Sequence, residues 1–86
     1  MRVTVHCFAR LRELAGRAEW TLDVRDHATV ADVWTALGSA APDVLQLSGA
    51  VSAAVNAEFA PLSRPVHAGD EIAFLPPVSG GARVGE

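Results

Sequence analysis

Few side chains of this chain are spaced for chemistry. Ser39, Ser48, Ser52, Ser63 and Ser79 never stand in a G-x-S-x-G elbow, the strained turn that presents a nucleophile. His6, His27 and His67 are scattered without metal-ligand spacing, and each reads as a surface or turn residue. Asp70-Glu71 is a carboxylate pair at a turn and reads as a solvated strand start. No glycines follow the phosphate-cradling G-x-G-x-x-G or G-x-x-x-x-G-K-[ST] spacings. The single cysteine, Cys7, cannot close an internal disulfide or build a thiolate cage. What remains is main chain. In Phe74-Leu75-Pro76-Pro77-Val78-Ser79-Gly80-Gly81 a strand-like run meets two prolines, which lack the N–H a ladder needs and favour a stiff, extended exit. Two glycines without Cβ follow. The pattern describes a neck and a tip slim enough to thread a narrow channel. The same composition also suits the frayed end of a domain. If the chain takes part in chemistry, the reacting group is main chain at that tip.

A tip of this kind needs a body to carry it. At 86 residues the chain is one small domain, and 50% apolar composition supports a packed core. The formal net charge of −3 argues against nucleic acid, which asks for a basic stripe. All 7 basic residues are Arg, so there is no ε-amine for Schiff-base chemistry or for an internal isopeptide bond. No signal-peptide core and no membrane-length apolar run is present, so a cytoplasmic location with no membrane contact is expected.

Val3, Val5 and Cys7 alternate with Thr4, His6 and Phe8, predicting a half-buried strand over 2–8 with Phe8 on the outward parity. Leu11, Leu14 and Ala15 predict a short helix over 9–15 that Gly16 stops. Trp20, Leu22 and Val24 alternate inward along a second strand over 19–25. Thr29 caps the main helix, with Asp32 three residues on as a short capping-box partner. Val30, Val33, Trp34 and Leu37 fall on one apolar face of that helix. Residues 43–49 read as either a helical turn or a loop. A short strand over 51–56 leads into a turn at Asn56-Ala57-Glu58, and 59–65, with two prolines, reads as irregular or edge structure. After the turn at 67–70, Ile72 and Phe74 point inward from the last strand while Ala73 and Leu75 point outward. The order predicts an α+β sheet with the main helix packed on one face.

Three stretches carry a resemblance: Phe8-Ala9-Arg10-Leu11-Arg12-Glu13-Leu14-Ala15-Gly16, Ala54-Val55-Asn56, and Gly69-Asp70-Glu71-Ile72-Ala73 running on into Phe74–Gly81. Through them the chain resembles the small subunit of molybdopterin synthase, the MoaD-like branch of the ubiquitin-like β-grasp sulfur carriers (MoaD/ThiS). The resemblance implies a β-grasp domain over 1–81 and an extension over 82–86. It implies that the Gly81 carboxylate, behind Gly80, is adenylated by an E1-like (MoeB-like) adenylyltransferase using ATP and Mg²⁺ held by that partner, this chain binding no cofactor or metal. A sulfur donor protein then supplies the sulfur that displaces AMP. The resulting thiocarboxylate enters the large (MoaE-like) synthase subunit and gives its sulfur to cyclic pyranopterin monophosphate. Thiamin, cysteine and tRNA-thiolation carriers are related alternatives. The resemblance also implies an exposed apolar docking patch of Phe8, Phe59 and Leu75, with Arg12 as a polar contact beside it and Pro76-Pro77 as the neck. Here Gly81 is followed by Ala82-Arg83-Val84-Gly85-Glu86, whereas the family ends at Gly-Gly. Trimming, a fusion with the large subunit, residues added in expression, or an inactive or regulatory paralogue would each account for this. A paralogue would leave a ubiquitin-like binding module or modifier.

Overall fold

A computed structural model describes residues 1–77. Five strands, β1 (Arg2–Cys7), β2 (Glu19–Asp23), β3 (Ser52–Val55), β4 (Glu58–Ala60) and β5 (Glu71–Leu75), form one sheet in the order β2-β1-β5-β3-β4. β1 and β5 run parallel, and the other neighbours are antiparallel. Two α-helices, α1 (Ala9–Ala15) and α2 (Val30–Ala40), and a 3₁₀ helix at Pro42–Leu47 supply the second layer.

Alternation decides which face is covered. Val3, Val5 and Cys7 of β1, Ile72 and Phe74 of β5, and Ala53 and Val55 of β3 are paired in register and buried on one face. α2 contributes Val30, Val33, Trp34 and Leu37 to the same core. The Trp34 ring meets Phe74 edge to face with centroids 5.0 Å apart, and its indole N–H donates to Ser48 Oγ at 3.0 Å. Cys7 is buried, and burial pushes its thiol pKa up, away from nucleophile chemistry.

The starts and stops are local chemistry. Thr29 Oγ1 accepts the Asp32 N–H at 3.3 Å, and Asp32 Oδ2 accepts the Thr29 N–H at 2.8 Å, closing a capping box at the head of α2. Gly16 ends α1 in the left-handed region at φ 86°. Gly38 does not end α2, which runs on to Ala40. A Cβ there would stand 2.5 Å from Leu45 Cδ2, so the glycine leaves the room in which the Leu45 side chain now lies.

Several boundaries move from their sequence expectations: β2 ends at Asp23 rather than at 25, and β3 spans Ser52–Val55 rather than 51–56. The first strand stops at Cys7, because Phe8 becomes the N-cap residue of α1. The segment 43–49 resolves into a helical turn that Pro42 opens at its first position. Glu58 belongs to a strand, not to the turn before it: β4 pairs Val55 with Glu58 through a two-residue connection, Asn56-Ala57. Both connecting residues have positive φ, 49° and 72°, as a primed hairpin turn demands. Alanine is poorly suited to that region. Ala57→Gly should therefore stabilise the domain by about 1 kcal/mol, raising Tm by about 4–8 °C. A calorimetric melt that moves down instead would reject this account of the turn.

Candidate functional site: the exit of the middle strand

β5 lies at the centre of the sheet, so the chain leaves the body between β1 and β3. The face opposite the core carries a cross-strand row of Glu19, His6, Ala73, Ala54 and Phe59. Leu75 stands one row further along, opposite Ser52. Phe8 keeps extended backbone, φ −124° and ψ 154°, and so continues the outward parity of β1.

Phe8 and Phe59 are exposed, by 48% and 79%, among the few large apolar side chains that are. Leu75 shares their face but is half-buried, so the expected patch of three exposed side chains is two exposed rings and a partly covered leucine. The reason is position. Phe59 sits on an edge strand, whereas Leu75 ends the central strand, opposite Ser52 of β3. Phe59 is three strands from β1, roughly 14 Å at ordinary strand spacing, with Ala54 and Ala73 between. The small alanines make that lane low and flat. Arg12 is exposed on α1 and makes no ion pair among the described residues. Pro76 is half-buried and Pro77 exposed. Gly80 and Gly81 lie outside the described residues.

His6 is more than a surface residue. Its side chain is 30% exposed, with Nε2 3.0 Å from Glu71 Oε1 and Nδ1 3.8 Å from Glu19 Oε1. It floors a shallow depression of about 490 Å³ that Phe8, Asn56 and Ala73 also line. Alternation along β1 marked its face, but the carboxylates on either side come from cross-strand register, which one sequence does not display.

A second device fixes where β5 begins. The Asn56 amide N–H donates to Asp70 Oδ1 at 3.0 Å, the His67 N–H donates to Asp70 Oδ2 at 2.8 Å, and the Glu71 N–H donates to Asn56 Oδ1 at 3.0 Å. Burial acts to raise the Asp70 carboxyl pKa, but the Asn56 and His67 hydrogen bonds outweigh it and the group sits below its ordinary value. The folded pKa is depressed, so this stabilisation is complete above the ordinary carboxylate pKa and is lost as pH falls through the lowered folded value. Asp70→Ala should cost about 1–2 kcal/mol at neutral pH, and the gap from wild type should narrow once pH drops below about 4. Urea titrations at several pH values read this directly, and a gap that stays constant into acid would reject it.

The mixed five-strand sheet, the helix across one face and the C-terminal strand at its centre define a ubiquitin-like β-grasp fold, and the family and relatives that the chain matches make it one of the sulfur carriers of that fold. The ThiS family model matches residues 5–81, and the chain belongs to that family. It is 40% identical over 82 residues to small archaeal modifier protein 1 of Haloferax volcanii, across 86% of this chain and 94% of that one. The crystal structure of that relative aligns with a TM-score of 0.86 at 35% identity, covering 94% of this chain and 100% of that chain. The molybdopterin synthase sulfur carrier subunit of Arabidopsis thaliana is 33% identical over 81 residues, across 94% of this chain and 84% of that protein. A chain in the crystal structure of the Amycolatopsis orientalis BexX/CysO complex matches with a TM-score of 0.69 at 26% identity, covering 92% of this chain and 99% of that chain. Among the described residues no helix is long and apolar enough to cross a membrane.

Proposed function

We propose that this chain is the sulfur-carrier small subunit of a molybdopterin synthase, working from the cytoplasm. The observation that carries the reading is the sequence run Phe-Leu-Pro-Pro-Val-Ser-Gly-Gly, whose Phe74–Pro77 part closes the middle strand of a sheet that exposes Phe8 and Phe59. The likeness to the Arabidopsis subunit supports it. Once the bond after Gly81 is opened, the Gly81 carboxylate attacks the α-phosphorus of ATP, with Mg²⁺, on an E1-like partner, and pyrophosphate leaves. Reduced sulfur from a donor protein then attacks the acyl carbon and AMP leaves, giving the thiocarboxylate. Adenylation turns an unreactive carboxylate into an electrophile, and sulfur is the stronger nucleophile. Acid–base and phosphate-binding groups belong to the partners. This chain supplies the reactive terminus, a docking face at Phe8, Phe59, Leu75 and Arg12, and the Pro76-Pro77 neck. The large synthase subunit receives the tail and passes its sulfur to the pterin precursor.

The test is reconstitution. The Gly81-ended chain, an activating enzyme, ATP and a sulfur source should give a product heavier by sulfur in place of oxygen. With a partner that activates another carrier in parallel, no such gain would end the proposal. Deleting the gene should also abolish molybdoenzyme activity, and normal activity with no second copy present would move the carrier to another pathway.

The likeness to small archaeal modifier protein 1 favours a second reading, a protein modifier whose activated Gly81 is captured by an amine on a target. Isopeptide-linked adducts recovered from the native cell would select it. A sulfur-bearing terminus with no adducts would select the first.

A further inference from the structure

We propose that Leu47 is a positioning residue for the carrier tail: it seats the proline neck and so sets the direction in which the chain leaves the domain. This rests on the sulfur-carrier reading for its reaction, though not for its geometry. Ala9, Arg10, Leu47, Pro76 and Pro77 together line one cleft of about 280 Å³. Both walls are anchored. α1 holds its wall through buried Leu11 and Ala15, and the 3₁₀ helix holds the other through buried Val44. Leu47 itself is half-buried against the core. Ala9 presents one methyl from a left-handed φ of 51°. The Arg10 guanidinium lies 3.6 Å from Glu13 on the next turn of its own helix, which draws it along α1.

The neck has little freedom left for the seat to remove. Each proline holds φ near a single value, and each residue before a proline is pushed toward extended ψ. Leu75 is also held in the ladder of β5. Leu47 faces Pro76-Pro77 across the cleft, and a side chain there bars the neck from swinging toward the 3₁₀ helix. The contribution is to aim rather than to affinity, because the cleft is lined by α1, the 3₁₀ helix and the neck, while the docking rings stand on the open face of the sheet. A tip misplaced by about an ångström at a reaction centre can cost a hundredfold in rate.

The variants are Leu47→Ala, which empties the seat, and Leu47→Met, which refills it with similar bulk. In the full chain, Cα–Hα residual dipolar couplings report the orientation of Pro76 and Pro77 against the sheet. Leu47→Ala should shrink those two couplings and leave the β1 and β3 couplings in place, and Leu47→Met should restore them. With the chain processed to Gly81, kcat for thiocarboxylate formation should fall about tenfold or more in Leu47→Ala while KM for the carrier stays within about twofold, and Leu47→Met should recover the rate. Unchanged neck couplings in Leu47→Ala overturn the seat. Shrunken couplings with an unchanged kcat overturn its role in the reaction. A wild-type chain that gains no sulfur beside an active control removes the carrier reading, while the couplings still decide whether Leu47 holds the neck.

Discussion

Phe59→Asp is expected to weaken partner docking by about ten- to a hundredfold while leaving the fold intact. Phe59 is 79% exposed on the edge strand β4, on the face of the sheet that the core does not use. Its ring therefore contributes little to the folded monomer, and surface changes of this kind usually stay within about 0.5 kcal/mol. Against a partner the balance reverses. Covering a phenylalanine ring is worth roughly 1.5–3 kcal/mol, and aromatic side chains at the centre of an interface carry most of the affinity. Aspartate removes that gain and places a carboxylate where water is to be expelled, which costs more unless the partner offers a cation. Calorimetric titration into the activating enzyme measures the affinity, and a thermal melt measures the fold. A collapse of the melt would place Phe59 in the core, and unchanged affinity would remove it from the interface.

What the sequence disclosed follows the range of each signal. The alternation of Val3, Val5 and Cys7, the face of Val30, Val33, Trp34 and Leu37, and the Thr29–Asp32 cap are local patterns, and each reappears in the structure. The outward parity of Phe8 and Leu75 was legible for the same reason. The partial covering of Leu75 was not, because that depends on β5 lying between β1 and β3, a fact of topology. β4 was legible only as one of two readings, irregular or edge structure over 59–65. It is three residues long, and Pro61 follows it at once, so no alternation had room to show. The carboxylates around His6 are 13 and 65 residues away in the chain, joined only by register. Leu47 gave the weakest signal of all, one apolar residue at the end of an irregular segment. Its neighbour across the cleft, Pro76, was conspicuous from the start.

The second large effect lies on the other face of the sheet, on the middle strand β5. Phe74→Ala should destabilise the domain by about 3–5 kcal/mol, the range for deleting a buried aromatic ring. Phe74 is fully buried, next in sequence to half-buried Leu75. Its register partners are Cys7 and Ala53, both small, so neither can swing in to fill the space the ring leaves. Trp34 would lose its edge-to-face partner 5.0 Å away, a contact worth about 0.5–1.5 kcal/mol beyond burial. A domain of this length holds only about 4–13 kcal/mol in all, so a sizeable share of the molecules should unfold at physiological temperature. Tm should fall by at least about 12 °C. Docking should weaken too, but by a route that temperature separates. In Phe74→Ala the loss follows the unfolded fraction and recedes on cooling toward the temperature of maximum stability. In Phe59→Asp it persists in a fully folded chain. A Phe74→Ala protein that melts near wild type would mean that Trp34 and α2 close over the gap. The core would then be organised less around the middle strand than its register indicates.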